Sequence, residues 1–393
     1  MPVAIYIFSL CTFAFGLSEF VVAGLVTAIA SDLQTQIAAA GGAIAAYAFG
    51  AAIGAPFITA LVSHWKDRQI LMLAMAVLSI GSVLMSLSPN LTLLLAIRFL
   101  VGLFHGVFMA VASDAATRLV APQRAGRALS VVWVGLTLAL ALGVPLGTLL
   151  GSMWSWRGVF LAVALLGMAG LLGLVLFMPA AADKEDSTPV NAWTGIQAIA
   201  HPHLLMAAGI GVLVSMATFS FFTFVSPYLL QITQVGTQWL SVGMLLFGLC
   251  SIAGNLLGGH LADVMDVGHG ILAALVGLAL NLAGLYGASS HPLLMMALIG
   301  MLGVFFFAIV TMLTLRLLQL ARHHIPASTA VAAGLNIASF NLGTALGGGL
   351  GSITIAWGSL SHVPLTGALA AVAALALAWR QTRQIASPVA TAR

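Results

Sequence analysis

Apolar stretches of about 20 residues, the length a helix needs to cross the hydrocarbon core of a bilayer, follow one another along this entire chain. No other feature constrains the fold as tightly. In hydrocarbon each backbone polar group must find its partner within the protein, so a chain of this kind is limited to helices or closed barrels. Of 393 residues, 61% are apolar and only 6% charged, against about 25% charged in soluble domains. Most of the surface therefore faces something other than water, which leaves almost no room for a soluble enzyme. A net charge of +4 would suggest a nucleic-acid partner in a soluble chain. Here it reads as basic residues gathered on one side of a membrane, and no nucleic acid is expected.

The opening MPVAIYIF has no basic residue ahead of its apolar stretch and no small-residue cleavage pattern close behind it. A removable signal peptide is not expected, and the first span stays. Cys11 and Cys250 both fall inside apolar spans, where two lone thiols predict packing and not a disulfide framework or a metal site. His201-Pro-His203 and His323-His324 lie at span boundaries without companion ligands. No GxxxxGK[ST] phosphate loop is present, and the glycine-rich runs lie inside helices. Metal, cofactor and ATP bound by this chain are not expected.

Cutting at polar, proline and glycine-rich breaks predicts twelve spans: 4–30, 42–62, 70–87, 92–116, 128–150, 158–178, 204–229, 239–261, 270–288, 293–318, 328–355 and 363–380. The longest polar stretch, AAADKEDSTPVNAW, separates the sixth from the seventh. With the N-terminus inside, Lys66, Arg68, Arg118, Arg124, Arg127, Lys184, Arg316, Arg322, Arg380, Arg383 and Arg393 share one side. Only Arg157 lands outside, and Arg98 lies within a span. That asymmetry makes both termini cytoplasmic. The halves also repeat: GVPLGTLLGS, Gly143 to Ser152, aligns without gaps to GTALGGGLGS, Gly343 to Ser352, and LVGLFHG aligns to MLGVFFF at nearly the same offset. The expected fold is an all-α membrane protein of twelve transmembrane helices in two pseudo-symmetric six-helix bundles. Its parts are residues 1–178, a cytoplasmic linker 179–203, and residues 204–393 with a short tail. Parallel repeats of this kind mark transporters whose site lies between the halves near mid-membrane.

The motifs of these spans resemble the major facilitator superfamily, in particular its twelve-helix drug:proton antiporter branch and, within it, bacterial arabinose and sugar efflux permeases. The resemblance rests on GLSEFVVAGL, GAPFITAL, RFLVGLFHGVF, GLTLALALGVPLGTLLG followed by WRGVF, FVSPYL, GNLLGGHLAD and NIASFNLGTALG, and it covers essentially the whole chain. One segment departs from the pattern. Where the superfamily reads G-x-L-a-D-r-x-G-r-R/K between its second and third spans, this chain has TALVSHWKDR, with Ser63 in place of the acid and Lys66 in place of the second glycine. The corresponding GHLAD of the second half keeps Asp263.

Glu19 is the one acid near mid-depth of a span. A charge there costs roughly 2.5–3.5 kcal/mol on insertion scales, and such residues usually face a cavity or a partner. It is therefore either a protonated carboxyl bonded to a neighbouring helix or a proton-binding group on the central cavity. Its repeat counterpart lies near Thr223, which cannot titrate, so proton coupling is expected in the first half. Arg98 and His105, two turns apart, share a helix face with Gly102, and Met109 continues it. Arginine keeps its charge in a protein and needs an anion, carbonyls or water. Both residues also fall on the R…G…HG pattern of the resembled branch. Glu19, Arg98 and His105 are the candidate proton site.

Gly135, Gly143, Pro145, Gly147 and Gly151 crowd the fifth span. Small residues at four-residue spacing permit close helix approach and proline bends the helix, so tight packing is expected in any case. The resemblance adds an association of this segment with exporters, and it is the main ground for choosing export. Asn336 and Asn341 are unfavourable in a span unless paired, and they contact substrate or bridge helices. Met109, Phe219, Phe222, Thr223, Phe224, Tyr228 and Phe340 are candidates for lining an amphipathic cavity, with packing as the alternative for each aromatic. For gating, Arg68 and Asp114 form one candidate ion pair, and Asp114 with Arg118 at i,i+4 is the local alternative. Ser63 marks the degenerate loop, and Asp263 is expected to face the start of the fifth span, where exposed N–H groups favour a carboxylate.

These readings converge on a monomeric secondary transporter of a bacterial cytoplasmic (inner) membrane, exporting a small neutral or weakly polar molecule such as a sugar or drug in exchange for protons. The alternatives are a proton symporter with the same carboxyl and a non-transporting membrane sensor. Expected partners are the small-molecule substrate, protons and lipid.

Overall fold

The computed structural model describes residues 1–62, 65–121, 124–178, 201–324 and 329–386. Among them are twelve long helices and no strand. In the first half these are α1 (Val3–Asp32), α2 (Ile37–Ile53, running on to Leu61), α3 (Asp67–Ser86), α4 (Leu91–Arg118), α5 (Ala125–Leu138, running on to Met153) and α6 (Trp156–Phe177). In the second they are α7 (Pro202–Phe222, with a broken extension to Ile232), α8 (Thr237–Val264), α9 (Val267–Gly287), α10 (Pro292–His324), α11 (Thr329–Trp357) and α12 (Val363–Ala386). All twelve expected spans are present. Residues 179–200, most of the expected linker, lie outside the described residues, as does Ser63.

The breaks follow the prolines. Wider π-turns occupy Gly54–Ile58 around Pro56, Ala139–Gly143 just before Pro145, and Tyr228–Ile232 just after Pro227. A proline removes one i→i−4 bond and crowds the preceding turn, and a π-turn is one way the helix absorbs that. Side-chain caps supply several helix starts: Asn90 accepts from the Leu93 N–H at 3.0 Å and Asp266 from the His269 N–H at 3.1 Å.

The internal repeat of the sequence is a repeat of packing. In α5, a Cβ on Gly135, Gly147 or Gly151 would run into Ser9, Val21 or Leu25 of α1. In α11, a Cβ on Gly343, Gly347 or Gly351 would meet Val212, Met216 or Phe224 of α7 and its extension. A second seam repeats likewise: Gly50 and Gly54 of α2 abut the Phe99 and Leu103 carbonyls of α4, while Gly254 and Gly258 of α8 abut those of Val304 and Ala308 of α10. Without a hydrophobic drive between helices in lipid, such small-residue contacts supply the dispersion that holds a bundle together.

The halves meet along α2 with α11, α5 with α8, and α1 with the end of α7. Thr27 and Ser226 hydroxyls pair at 3.1 Å, and the Ser352 hydroxyl donates to the Ala38 carbonyl at 2.8 Å. Phe224, fully buried, sits between Gly41 of α2 and Gly351 of α11. These contacts cluster toward the end of the bundle that carries the α1–α2 and α11–α12 connections. At the same end, Arg157 ties the first half together, donating to Asp32 at 2.8 Å and to the Ser86 and Ser88 carbonyls at 2.8 and 2.9 Å.

At the opposite end the ion pairs differ from the expected Arg68–Asp114 pair. Arg118 bonds both Asp114, its own i,i+4 neighbour, and the buried Asp67 at the start of α3. Arg68 instead donates to the Val175 carbonyl of α6 at 2.8 Å. The reason is reach: Arg118 ends α4 beside both acids, whereas Arg68 leaves α3 on its α6 side. The Asp263 side chain lies outside what the structure describes.

Candidate functional site

Arg98 has no exposed surface. Its guanidinium donates to three main-chain carbonyls: from Nε to Ala43 of α2 at 2.8 Å, from Nη1 to Ser18 of α1 at 2.5 Å, and from Nη2 to Glu19 of α1 at 3.3 Å. Its Cζ also stands 4.4 Å from the centroid of the Tyr47 ring. A buried charge is tolerable only when its donors are filled, and here carbonyl dipoles and an aromatic face fill that role. The approach is possible because Gly102, one turn on from Arg98, presses α4 against the Tyr47 carbonyl. Arg98 thus fastens α1, α2 and α4 at one point and addresses the backbone of Glu19, while the carboxyl of that residue is left to another partner.

That partner is His105. Its Nδ1 lies 3.5 Å from Glu19 Oε2, with side-chain exposures of 6% and 9%. The distance exceeds the usual 2.7–3.2 Å of an N–H···O hydrogen bond, and neither ring nitrogen has a hydrogen-bond partner among the described residues. The imidazole stacks on Phe15 with centroids 4.8 Å apart and planes 6° from parallel, and Tyr47 flanks it at 5.6 Å. Aromatic packing, not hydrogen bonding, sets the ring's orientation. Two proton-binding groups therefore face each other across one short gap, with a fixed positive charge one layer behind. Glu19 is itself buried.

Of the residues expected to line a cavity, Phe219 marks the meeting of the halves. Its ring stacks on Phe20, the neighbour of Glu19, at 6.1 Å and meets Phe222 and Phe306 edge-on, each at 5.7 Å. Phe306 in turn meets half-buried Phe340 at 6.3 Å. Met109 and Phe222 are buried in the core, and Phe222 packs on Phe247 at 4.1 Å. Thr223 is fully buried near Gly41 and Gly348 at the seam between halves, with no partner for its hydroxyl among the described residues. Asn341 bonds the Ile337 carbonyl of its own helix at 2.9 Å. Asn336 reaches across to α10, where its Nδ2 donates to the Thr314 hydroxyl at 2.9 Å. Gly135, Gly143, Pro145 and Gly147 face α1 or sit in the buried π-turn region of α5.

Sequence reasoning passed over Tyr47, Phe15, Phe20 and Phe306. Tyr47 carried a signal, since a phenol amid the small apolar residues of AIAAYAFG needs a partner at depth. The phenylalanines carried none, because aromatic residues are common in membrane helices and only packing selects among them. Thr311 and Thr314 were equally silent.

The inner membrane transport protein YdhP of Escherichia coli O157:H7 is 34% identical over 95% of this chain and 94% of its own. A chloramphenicol resistance protein of Streptomyces lividans is 32% identical over the full length of both chains. The purine ribonucleoside efflux pump NepI of Shigella dysenteriae serotype 1 (strain Sd197) is 29% identical over 72% of each. Residues 8–330 match the Major Facilitator Superfamily. With that match, twelve long helices among the described residues, eleven of them apolar enough to cross a membrane, and two halves that repeat each other's packing, the chain belongs to the Major Facilitator Superfamily and is a multi-pass membrane transporter, not an enzyme.

Proposed function

We propose that this protein exports a small neutral or weakly polar molecule in exchange for protons. The observation that carries the reading is the Glu19–His105 pair, 3.5 Å apart and with no hydrogen bond to either ring nitrogen among the described residues. A carboxylate and an imidazole so placed hold a proton between them or release it with small movements, and Glu19 adjoins the Phe20–Phe219 contact between the halves. In this cycle substrate enters from the cytoplasm while the pair is unprotonated. After the halves rock, a proton from the far side occupies the pair, substrate leaves, and the protonated carrier returns to release its proton inside. Exchange requires only that proton and substrate disfavour each other's binding. Export is favoured by two relatives whose names describe drug resistance and nucleoside efflux. The low charge of the interior and the chain of Phe340, Phe306 and Phe219 that begins one turn from Asn336 fit a sugar, a nucleoside-like compound or an uncharged drug. A bacterial inner membrane, cytoplasmic termini and a monomer belong to the same proposal.

Proteoliposomes with an imposed proton gradient test it. Substrate is expected to move against the proton flux, and Glu19→Gln is expected to abolish that exchange while leaving binding intact. Movement of substrate with the protons makes the protein a symporter. A Glu19→Gln variant that exchanges at the normal rate removes the proton site.

A further inference from the structure

The second half holds a polar array of its own. Asn255 of α8, Thr311 and Thr314 of α10 and Asn336 of α11 are all half-buried. They join three helices: the Thr311 hydroxyl lies 2.8 Å from Asn255 Oδ1 and 3.0 Å from the Phe307 carbonyl of its own helix, and Asn336 Nδ2 donates to Thr314 Oγ1 at 2.9 Å. One turn beyond Asn336, Phe340 belongs to the aromatic chain that runs through Phe306 and Phe219 to Phe20. The array and the Glu19–His105 pair thus flank the same cluster from opposite halves.

The direction of the bonds decides what the array offers. A threonine hydroxyl has one proton, and Thr314 gives it to the Val310 carbonyl at 2.7 Å. Toward Asn336 it has only lone pairs, so the amide must turn its NH2 to Thr314. The reverse orientation would set two acceptors face to face. The Oδ1 of Asn336 consequently points away from Thr314, and it is buried with no partner among the described residues. A buried acceptor left open in a native fold calls for an explanation, and a transported molecule carrying a donor supplies one.

We propose that Thr314 is a positioning residue for substrate selection: it locks the Asn336 amide so that Oδ1 is kept open as an acceptor, selecting molecules that bring an O–H or N–H. This rests on the transporter reading above but not on proton coupling. The substrate class is then neutral compounds with free hydroxyls or N–H groups, and fully capped compounds of the same shape are poor ligands.

Binding to the purified full-length protein tests this with inosine, chloramphenicol and L-arabinose, each beside its derivative methylated at every O–H and N–H. At least one parent compound is expected to bind, with its methylated form weaker by about tenfold, the size of one hydrogen bond. Thr314→Val is expected to shrink that discrimination below about threefold, since its amide is free to rotate, while Thr314→Ser restores it. Asn336→Leu loses discrimination and is not rescued. Melting temperatures separate these effects from misfolding, because a residue that merely joins α10 to α11 would change stability and leave the ratio untouched. Equal binding of parent and methylated compounds, no binding of any parent, or an unchanged ratio in Thr314→Val overturns the proposal. Glu19→Gln is expected to keep the ratio, so failure of the proton reading shows separately, as exchange that persists in that variant.

Discussion

His105 Nδ1 and Glu19 Oε2 stand 3.5 Å apart, with both imidazole nitrogens otherwise without hydrogen-bond partners among the described residues. Replacing the ring by a group that cannot carry a proton should uncouple transport more than it disturbs the fold, because the ring is held by stacking. His105→Phe keeps the stack on Phe15. It is expected to retain the melting temperature within a few degrees and to slow proton-driven exchange by about tenfold or more, equivalent to about 1.4 kcal/mol in the barrier. Equal rates at matched gradients would remove His105 from the coupling step.

The Arg98–Tyr47 contact predicts an asymmetry. Tyr47 offers its ring face to Arg98 at 4.4 Å, whereas its hydroxyl makes a long 3.3 Å bond to the Phe15 carbonyl. Tyr47→Phe is expected to cost less than about 1 kcal/mol, and Tyr47→Ala about 3–5 kcal/mol from the cavity, with the stranded cation adding to it. Thermal melts in detergent check the order. An equal loss in both would shift the role from the ring to the hydroxyl.

Glycines that touch a neighbouring helix should not tolerate a methyl group. A Cβ on Gly102 would overlap the Tyr47 carbonyl, while one on Gly259 of α8 meets nothing within 4 Å. Gly102→Ala is expected to destabilise by about 1–3 kcal/mol through overpacking. Gly259→Ala is expected to be neutral or to gain up to about 1 kcal/mol through helix propensity. The same melts give both signs.

The seam at Thr27 and Ser226 should be breakable if the halves rock. Their hydroxyls lie 3.1 Å apart, close enough for cysteines placed there to bridge. Oxidised Thr27→Cys/Ser226→Cys is expected to block transport, with activity returning on reduction. Gly41→Val, which wedges against Phe224, is expected to slow the cross-link. Full transport by the cross-linked protein would mean that this seam stays shut throughout the cycle.

Asp266, outside the spans, caps α9. Burial pushes its carboxyl up, but the His269 N–H and side chain, the Gly268 N–H and the charge of Arg316 together outweigh that and hold it below the usual aspartate range. Because the folded state favours the carboxylate, its contribution is complete at neutral pH and is lost as pH falls through the acidic range. Asp266→Ala is expected to cost about 0.5–2 kcal/mol at neutral pH, with wild type and variant converging in acid. A difference that persists there would assign the cap to the neutral acid.

The twelve spans, the two related halves and the candidacy of Glu19, Arg98 and His105 were readable in the chain itself. Hydrocarbon leaves few permitted structures, so apolar length and misplaced polar residues are unusually informative. How those polar residues pair was another matter. The sequence left an anion, carbonyls or water as partners for Arg98, and it bonds carbonyls, because the neighbouring backbones come close enough at Gly102 to supply acceptors. Arg118, the partner in the local alternative, took both nearby acids at the end of α4. The Thr314–Asn336 bond joins residues of ordinary membrane-helix type that nothing in the sequence distinguished.

By itself, then, the amino-acid sequence determined that the protein lives in a bilayer, that it is a duplicated bundle, and which few groups are out of place there. Those conclusions follow from the solvent, which acts on each residue independently. Tertiary structure alone decided which group answers which: imidazole to carboxyl, guanidinium to carbonyl, hydroxyl to amide. Such pairings depend on ångström-scale distances between helices far apart in the chain, and those distances are set by the glycine contacts taken together.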